Sequence, residues 1–280
     1  MAGSLILVPT PIGNLGDISP RAAEALAQAD FIAAEDTRVT LRLLNHLELK
    51  KSLVSYHEHN KQKSGPQILQ RISAGETCAL VTDAGTPAIS DPGEDLVRLC
   101  AEAGIMVTAI PGPCAAITAL AVSGLKTDRF TFEGFLPAQK KQRRERLKAL
   151  AAEDRTMILY EAPHRLPDTL KELSEALGPD RKITLCRELT KLHEEIQRVT
   201  LGDAVTYYSE IAPRGEFVLI LAGRALPTEA PQAVSMEDCL EAVRLLREDG
   251  MGLKDAVRQV SREYGVPKNA LYDAAVAKGL

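Results

Sequence analysis

The sequence predicts an α/β fold, two α/β domains followed by a small helical domain, on three observations. Short apolar runs alternate with segments of helical period along most of the 280 residues. That alternation breaks once, around residues 124–137, where turn residues surround Phe130, Phe132 and Phe135. A Pro- and Ala-rich stretch, 227–235, then precedes a tail in which only the helical period survives.

Residues 5–8, 31–34, 53–55, 78–81 and 106–110 read as strands, and 20–28, 67–74 and 94–103 as helices between them. Within 67–74, Ile68, Leu69 and Ile72 share one face. Strands alternating with helices predict a largely parallel sheet covered by helices. An Ala-rich helix, 115–122, follows the turn Pro111-Gly112-Pro113. Beyond the break, a helix at 140–152 leads into a strand at 156–160, a helix at 165–177 and a strand at 183–187. A helix at 203–210 and a strand at 217–222 complete the second unit. The expected domains are therefore 1–124, 125–226 and 235–280, the last built of helices 236–248, 253–263 and 267–278. The final pair, separated by Tyr264-Gly265-Val266 and with Pro267 suited to a first helical turn, resembles a helix-turn-helix.

Composition narrows the function classes. Lys and Arg number 34 against 38 Asp and Glu, a net charge of -4, which argues against a surface coated with positive charge but allows one basic patch. Aromatics are 4% with no Trp, too few for a large base-stacking platform. Five Cys (Cys78, Cys100, Cys114, Cys186 and Cys239), with no CxxC, make neither a disulfide framework nor a zinc ribbon and point to a reducing compartment. The first residues lack a basic, apolar leader, and no apolar run approaches the roughly 18 residues of a membrane span. A cytoplasmic protein with no membrane partner is expected.

Neither GxGxxG nor GxxxxGK[ST] is present, so no standard dinucleotide site or P-loop is signalled. Three Gly/Pro loops follow predicted strands instead. The first runs Pro9-Thr10-Pro11-Ile12-Gly13-Asn14-Leu15-Gly16-Asp17, and the second from Thr82-Asp83-Ala84-Gly85-Thr86-Pro87 to Asp91-Pro92-Gly93. The third is Ile110-Pro111-Gly112-Pro113-Cys114-Ala115-Ala116. Any one alone is an ordinary turn. Together they belong to the carboxyl edge of one sheet, where open α/β folds bind ligands, and they should converge.

These loops, with Glu35-Asp36-Thr37-Arg38, Ser55-Tyr56-His57-Glu58-His59-Asn60, Tyr160-Glu161-Ala162-Pro163-His164-Arg165 and Arg187-Glu188-Leu189-Thr190-Lys191, resemble the tetrapyrrole methylase superfamily. The match runs over about residues 4–280 and is closest to the branch acting on ribosomal RNA. Pro-Thr-Pro replaces the Gly-rich first loop of porphyrin-type members, and Gly-Thr-Pro their Gly-Asp-Pro. The resemblance implies two α/β domains binding S-adenosyl-L-methionine in the crevice between them, in a homodimer. It implies 2′-O-methylation of a cytidine in the decoding region of 16S rRNA, free or in the small ribosomal subunit. Cofactor contacts carried over are Ile12, Ala84, Gly85, Thr86, Ile89, Cys114, Ala115, Tyr160, Leu189, Gly215 and Glu216. No metal is implied.

Methyl transfer from a sulfonium to a ribose hydroxyl needs positioning and a group that accepts the hydroxyl proton or steadies the forming alkoxide. Candidates at strand ends are Glu35, Asp36, Arg38, His57 and Glu58, with His164, Glu188 and Lys191 from the second domain; Asp36, Arg38, His57 and Glu188 head the set. Each has a plain structural alternative. Glu35-Asp36 also suits a helix N-cap, and Arg38 a surface helix charge. The His57-x-His59 pair lacks a third ligand and suits structure or RNA contact better than metal. Glu188 and Lys191 suit a surface ion pair.

Lys140-Lys141-Gln142-Arg143-Arg144-Glu145-Arg146-Leu147-Lys148 carries six cations against one anion, and Lys140, Lys141, Arg143 and Arg144 are candidate RNA contacts. A solvated helix face is the alternative. Residues 231–280 carry seven basic and eight acidic side chains, weak for a stand-alone nucleic-acid reader. Two rival readings remain: a small-molecule methylase of the same fold, and a non-enzymatic RNA-binding assembly factor.

Overall fold

The computed structural model describes residues 3–224 and 235–280. Apart from Ser235, the expected linker at 227–235 lies outside the described residues. Five strands, β1 (Ser4–Leu7), β2 (Phe31–Ala34), β3 (Ser52–Ser55), β4 (Thr77–Val81) and β5 (Met106–Ala109), form a wholly parallel sheet in the order β3-β2-β4-β1-β5. One helix makes each crossover: α1 (Pro20–Gln28), α2 (Thr37–His46), α3 (Lys61–Ser73) and α4 (Glu94–Glu102).

The apolar runs of this sheet serve two cores at once. Ile32, Ala34, Ala79 and Val81 face one side, with Leu26 and Leu44 from the covering helices. Phe31, Ala33, Cys78 and Leu80 face the other, with Ile68, Ile72 and Leu96. Parallel strands buried on both faces therefore read as continuous apolar runs rather than alternating ones. Ser19 caps α1, accepting from Ala22 N, and Pro20 occupies the first helical position, where its missing N–H costs nothing. Helix α3 begins six residues earlier than the sequence pattern predicts, carrying Pro66 inside it. Its first turns pack where Gly65 meets Leu99 and Tyr56, and that packing overrides the proline.

The first sheet is parallel as expected, whereas the second is mixed. Strands β6 (Phe130–Phe135), β7 (Thr156–Glu161), β8 (Lys182–Arg187), β9 (Glu195–Thr200) and β10 (Phe217–Leu221) lie in the order β6-β7-β10-β8-β9. Only β6 and β7 run parallel as neighbours. The βαβ unit β7-α7-β8, with α7 at Leu166–Leu177, has its parallel strands held apart by the antiparallel β10. Strand β9, absent from the sequence reading, follows β8 after a connection too short for a helical crossover, so it pairs antiparallel. The expected break contains β6 itself, with a register shift between Phe132 and Gly134.

One face of this sheet is covered by α6 (Lys140–Ala152), α7 and α8 (Leu201–Glu210) over Met157, Leu159, Leu185 and Leu219. The other face is covered by α5 (Ala115–Val122), which follows β5 of the first sheet. Ala116, Ala119 and Leu120 of α5 pack on Ile158, Cys186, Val218 and Ile220. The small residues on this face permit a close approach to the strands, while Ile117 and Ala121 on the other side of α5 stay exposed. Both sheets thus belong to one compact unit that ends at Arg224, and the described residues 235–280 form a second.

The second unit has its own core. Helices α9 (Met236–Glu248), α10 (Leu253–Tyr264) and α11 (Lys268–Ala277) bury Cys239, Val243, Val257, Val260 and Leu271 among themselves. Ser235 and Asp238 form a capping box at the start of α9, and Gly265, at φ 68°, ends α10 in the left-handed conformation. No helix among the described residues is long and apolar enough to cross a membrane.

Candidate active site

The three Gly/Pro loops converge, through backbone contacts. Thr10 N donates to Gly85 O at 2.9 Å and Gly85 N to Thr10 O at 3.0 Å, a two-bond bridge between the first loop and the second. Thr86 Oγ1 donates to Pro113 O at 2.9 Å, joining the second loop to the third. A Cβ on Gly112 would lie 2.8 Å from Pro9 Cβ, so the third loop closes on the first only because that residue is glycine. Gly85 sits at φ +90°, a conformation side chains avoid, and its α-carbon faces Ile12.

Beside this junction lies a cavity of about 440 Å³, within the range of roughly 300–1,000 Å³ usual for small-molecule sites. The first sheet contributes Ile12, Ala84, Gly85, Thr86, Ile89, Cys114 and Ala115 to its wall. The second contributes Tyr160, Leu189 and Glu216 from strand ends at one edge, β10 entering where β7 and β8 leave. Of the expected cofactor contacts, only Gly215 is not in the lining. It stands at the rim at φ +83°, where a Cβ would lie 2.5 Å from Glu188 Cγ. The wall is mostly apolar, and Phe132 and Phe135 stack edge-to-face on Tyr160 at 5.3 and 5.6 Å between ring centres. Burial holds the Tyr160 phenol up at about 12, so it stays protonated near neutrality.

The four leading catalytic candidates all lie outside the lining. Asp36 caps α2, accepting from Arg38 N at 2.8 Å, and grips the Arg38 guanidinium at 2.6 Å. That grip holds the Asp36 carboxyl down at about 2. Arg38 is 85% exposed, so the pair matches the plain cap and surface charge. His57 N donates to Asn60 Oδ1 at the start of α3, and the His57 and His59 rings stand 6.1 Å apart. No group of three or more His, Cys, Asp or Glu among the described residues is placed to hold a metal ion.

Glu188 takes part in a rim triad. Its Oε1 accepts from Lys191 Nζ at 2.8 Å and from Glu216 N at 2.9 Å, while Lys191 Nζ also reaches Glu216 Oε2 at 3.0 Å. Burial opposes charging Glu188, but Lys191 and the Glu216 amide outweigh it and hold the carboxyl below its ordinary value. The Lys191 side chain lies where a Cβ on Gly13 would have to go, so this triad meets the first loop.

Sequence reasoning did not single out Ser90, Asp91, Phe135, Glu161 and Cys186, all of which line the cavity. Glu161 is spoken for: its carboxylate accepts from Thr169 Oγ1 and Ala162 N, with Arg165 at 3.6 Å. Asp91 is half-buried, and burial, then the nearby Glu35 carboxylate, pushes its carboxyl up to about 6. Its place between Ser90 and Pro92-Gly93 reads as a turn, which conceals it in the sequence.

In the basic run, Lys140, Lys141 and Arg144 are exposed, but Arg143 is turned inward. Its side chain, 11% exposed, pairs with Glu172 and donates to Thr169 Oγ1 at 2.7 Å, tying α6 to α7. Arg143 is therefore a structural cation, a correction to its place among the RNA contacts.

Residues 4–205 match the family model described as Tetrapyrrole (Corrin/Porphyrin) Methylases, and residues 233–279 one described as RsmI C-terminal HTH domain. The chain is 49% identical over 274 residues to "Ribosomal RNA small subunit methyltransferase I" of Synechocystis sp., covering 98% of each chain. It is 48% identical to the protein of that name from Escherichia coli O157:H7, covering 98% of this chain and 95% of the other. Among solved structures, diphthine synthase aligns with a TM-score of 0.62 at 14% identity over 78% of this chain and 89% of its own. The methyltransferase CobJ aligns at 0.60 and 21%, over 80% and 95%. At these identities the structural likeness establishes the fold.

Proposed function

The chain belongs to the tetrapyrrole methylase family, and from that premise we propose that it is an S-adenosylmethionine-dependent methyltransferase acting on the 16S RNA of the small ribosomal subunit. The observation that carries this reading is the convergence of three loops, joined by the Thr10–Gly85 bridge and the Thr86–Pro113 bond, beside one apolar cavity that Tyr160 also lines. The residues suit the donor. Gly85 offers backbone without a side chain beside Ile12, and Ala84, Thr86, Cys114 and Ala115 supply main-chain groups along the same wall. Leu189 and Tyr160 would close over it from the other sheet and exclude water. When bound, the donor supplies an electrophilic methyl on a sulfonium, so the protein's share is to orient a hydroxyl and receive its proton.

The acceptor in this reading is the ribose 2′-hydroxyl of a cytidine in the decoding region. Lys140, Lys141 and Arg144 on α6 are the cations best exposed to meet phosphates. The working form is a homodimer, a reading supported by the family resemblance. The C-terminal helices match a family-specific module, which favours RNA over a small acceptor.

The test supplies the protein with methyl-labelled S-adenosylmethionine and, in parallel, small-subunit particles, naked 16S RNA or a tetrapyrrole. Label recovered as 2′-O-methylcytidine after nuclease digestion supports the reading. Label in the tetrapyrrole alone overturns it, and light scattering of the active protein decides the dimer.

A further inference from the structure

Asp91 lies in a stretch of backbone under unusual constraint. Between Gly85 and Gly93 the chain enters the left-handed region four times, at Gly85, Ala88, Ser90 and Gly93, with φ of 90°, 68°, 64° and 148°. Ala88 and Ser90 are not glycine, and each such residue costs about 1–3 kcal/mol that the surrounding contacts must offset. Those contacts are visible. Gly93 fits against Ala88 and Leu80, where a Cβ would come within 2.9 Å, and Ser90 Oγ reaches over to Gly134 at the bulge of β6. The loop is bent inward, and Ser90 and Asp91 line the cavity as a result.

The other acids of the lining are engaged. Glu161 is held by Thr169, the Ala162 amide and Arg165, and Glu216 leans out to Lys191 with most of its side chain in solvent. Tyr160 and Cys186 are kept protonated by burial, at about 12 and 11. Asp91 has no cation within ion-pair distance among the described residues.

We infer that Asp91 is the general base of methyl transfer, its carboxylate accepting the proton of the acceptor hydroxyl. This rests on the RNA methyltransferase reading above. As the hydroxyl oxygen forms its bond to the methyl carbon, its O–H bond breaks towards Asp91 Oδ. The electron pair of the methyl–sulfur bond returns to sulfur and leaves a neutral thioether. Burial and two acidic neighbours bias Asp91 towards holding a proton: Glu35 at the end of β2 and Asp83 in its own loop; Tyr160 on β7 also lies near it, but is protonated and adds no charge. The Thr82 hydroxyl, the one nearby group among the described residues that could pull the other way, donates to Glu35 Oε2 at 2.6 Å. A base that loses its proton near pH 6 is ready at neutrality and still basic enough to be useful.

The experiment compares the full-length wild type with Asp91→Asn, an isosteric change. Wild-type label transfer to small-subunit RNA is measured first. If there is none, the functional reading fails and this inference with it. Given transfer, Asp91→Asn should bind S-adenosylmethionine within threefold of wild type by calorimetry and lose about 100-fold or more in single-turnover rate. The wild-type rate should fall on acidification with a limb at or below about pH 6, which the variant lacks. Infrared difference spectra of the donor-free protein between pH 5 and 7.5 should lose one protonated-carboxyl band in the variant, a signal independent of turnover. Transfer within threefold of wild type, loss of donor binding, or an unchanged carboxyl band would each overturn the assignment while leaving the methyltransferase reading in place.

Discussion

Thr10 and Gly85 exchange both of their backbone hydrogen bonds, at 2.9 and 3.0 Å, across 75 residues of chain. This one antiparallel bridge between two loops of a parallel sheet sets the floor of the cavity. Thr10 is further anchored by its hydroxyl, which donates to Thr82 O at 3.1 Å.

Gly85→Ala tests that floor. The new Cβ would lie 3.3 Å from Ile12 Cγ2, and φ of +90° would strain any side chain. A stability loss of about 1–2 kcal/mol is expected. Donor affinity should fall roughly tenfold or more, because relief of the strain moves backbone that faces the ligand. Calorimetry with S-adenosylmethionine checks this; unchanged affinity would mean the loop does not touch the donor.

Asp91 should leave a mark on stability as well as on rate. Its folded value, about 6, lies above the ordinary 3.8, so the folded state favours the protonated acid. That contribution is full below about pH 4 and is lost as pH rises through 6. Asp91→Asn should therefore melt higher than wild type at pH 7.5 and equal to it at pH 3.5. Raising the carboxyl from 3.8 to about 6 corresponds to about 3 kcal/mol, discounted to about 1 kcal/mol because the side chain is only half-buried. Melting curves at the two pH values decide it.

The two kinds of cation on α6 should separate cleanly. Lys140, Lys141 and Arg144 changed together to Ala should weaken RNA binding and flatten its log–log salt dependence by about 2–3, with the melting temperature within a degree or two of wild type. Arg143→Met should instead destabilise the fold by about 1–3 kcal/mol, since it leaves Glu172 without its cation and removes the donor to Thr169 Oγ1. Filter binding over a salt series and thermal melts distinguish the two; equal effects on both readouts would collapse the distinction.

The rim triad makes a further prediction. Gly215→Ala places a Cβ 2.5 Å from Glu188 Cγ at a backbone φ of +83°. Glu188 must then leave Lys191 and the Glu216 amide, and the Leu189 wall should shift with it. Donor affinity should fall several-fold, and Lys191→Met should reproduce part of that loss. Affinity unchanged in both would reduce the triad to surface decoration.

Much of this was legible in the chain itself. Apolar runs such as Phe31–Ala34 were read as strands because a sheet covered on both faces buries every residue, and that burial is a property of local composition. The glycines and prolines of the three loops announced turns, and their common position after strands of one sheet implied a shared edge. Ten of the eleven residues expected around the donor do line the cavity.

What the sequence did not disclose depends on partners far away in the chain. Nothing local to Phe217–Leu221 says that it inserts antiparallel between β7 and β8, because an apolar strand pairs equally well in either direction until its neighbours are chosen. Nothing in the Ala-rich α5 says that it leaves the sheet preceding it and covers the next one. Arg143 and Arg144 are adjacent cations, and only α7 turns one inward while leaving the other in water. Asp91 looked like a turn residue until the fold bent its loop over Leu80 and Gly134 towards Glu35. Propensity and pattern are settled by a residue's nearest neighbours along the chain, whereas strand direction, side-chain burial and the proton affinity of a carboxyl are settled by whatever the finished fold brings up against them.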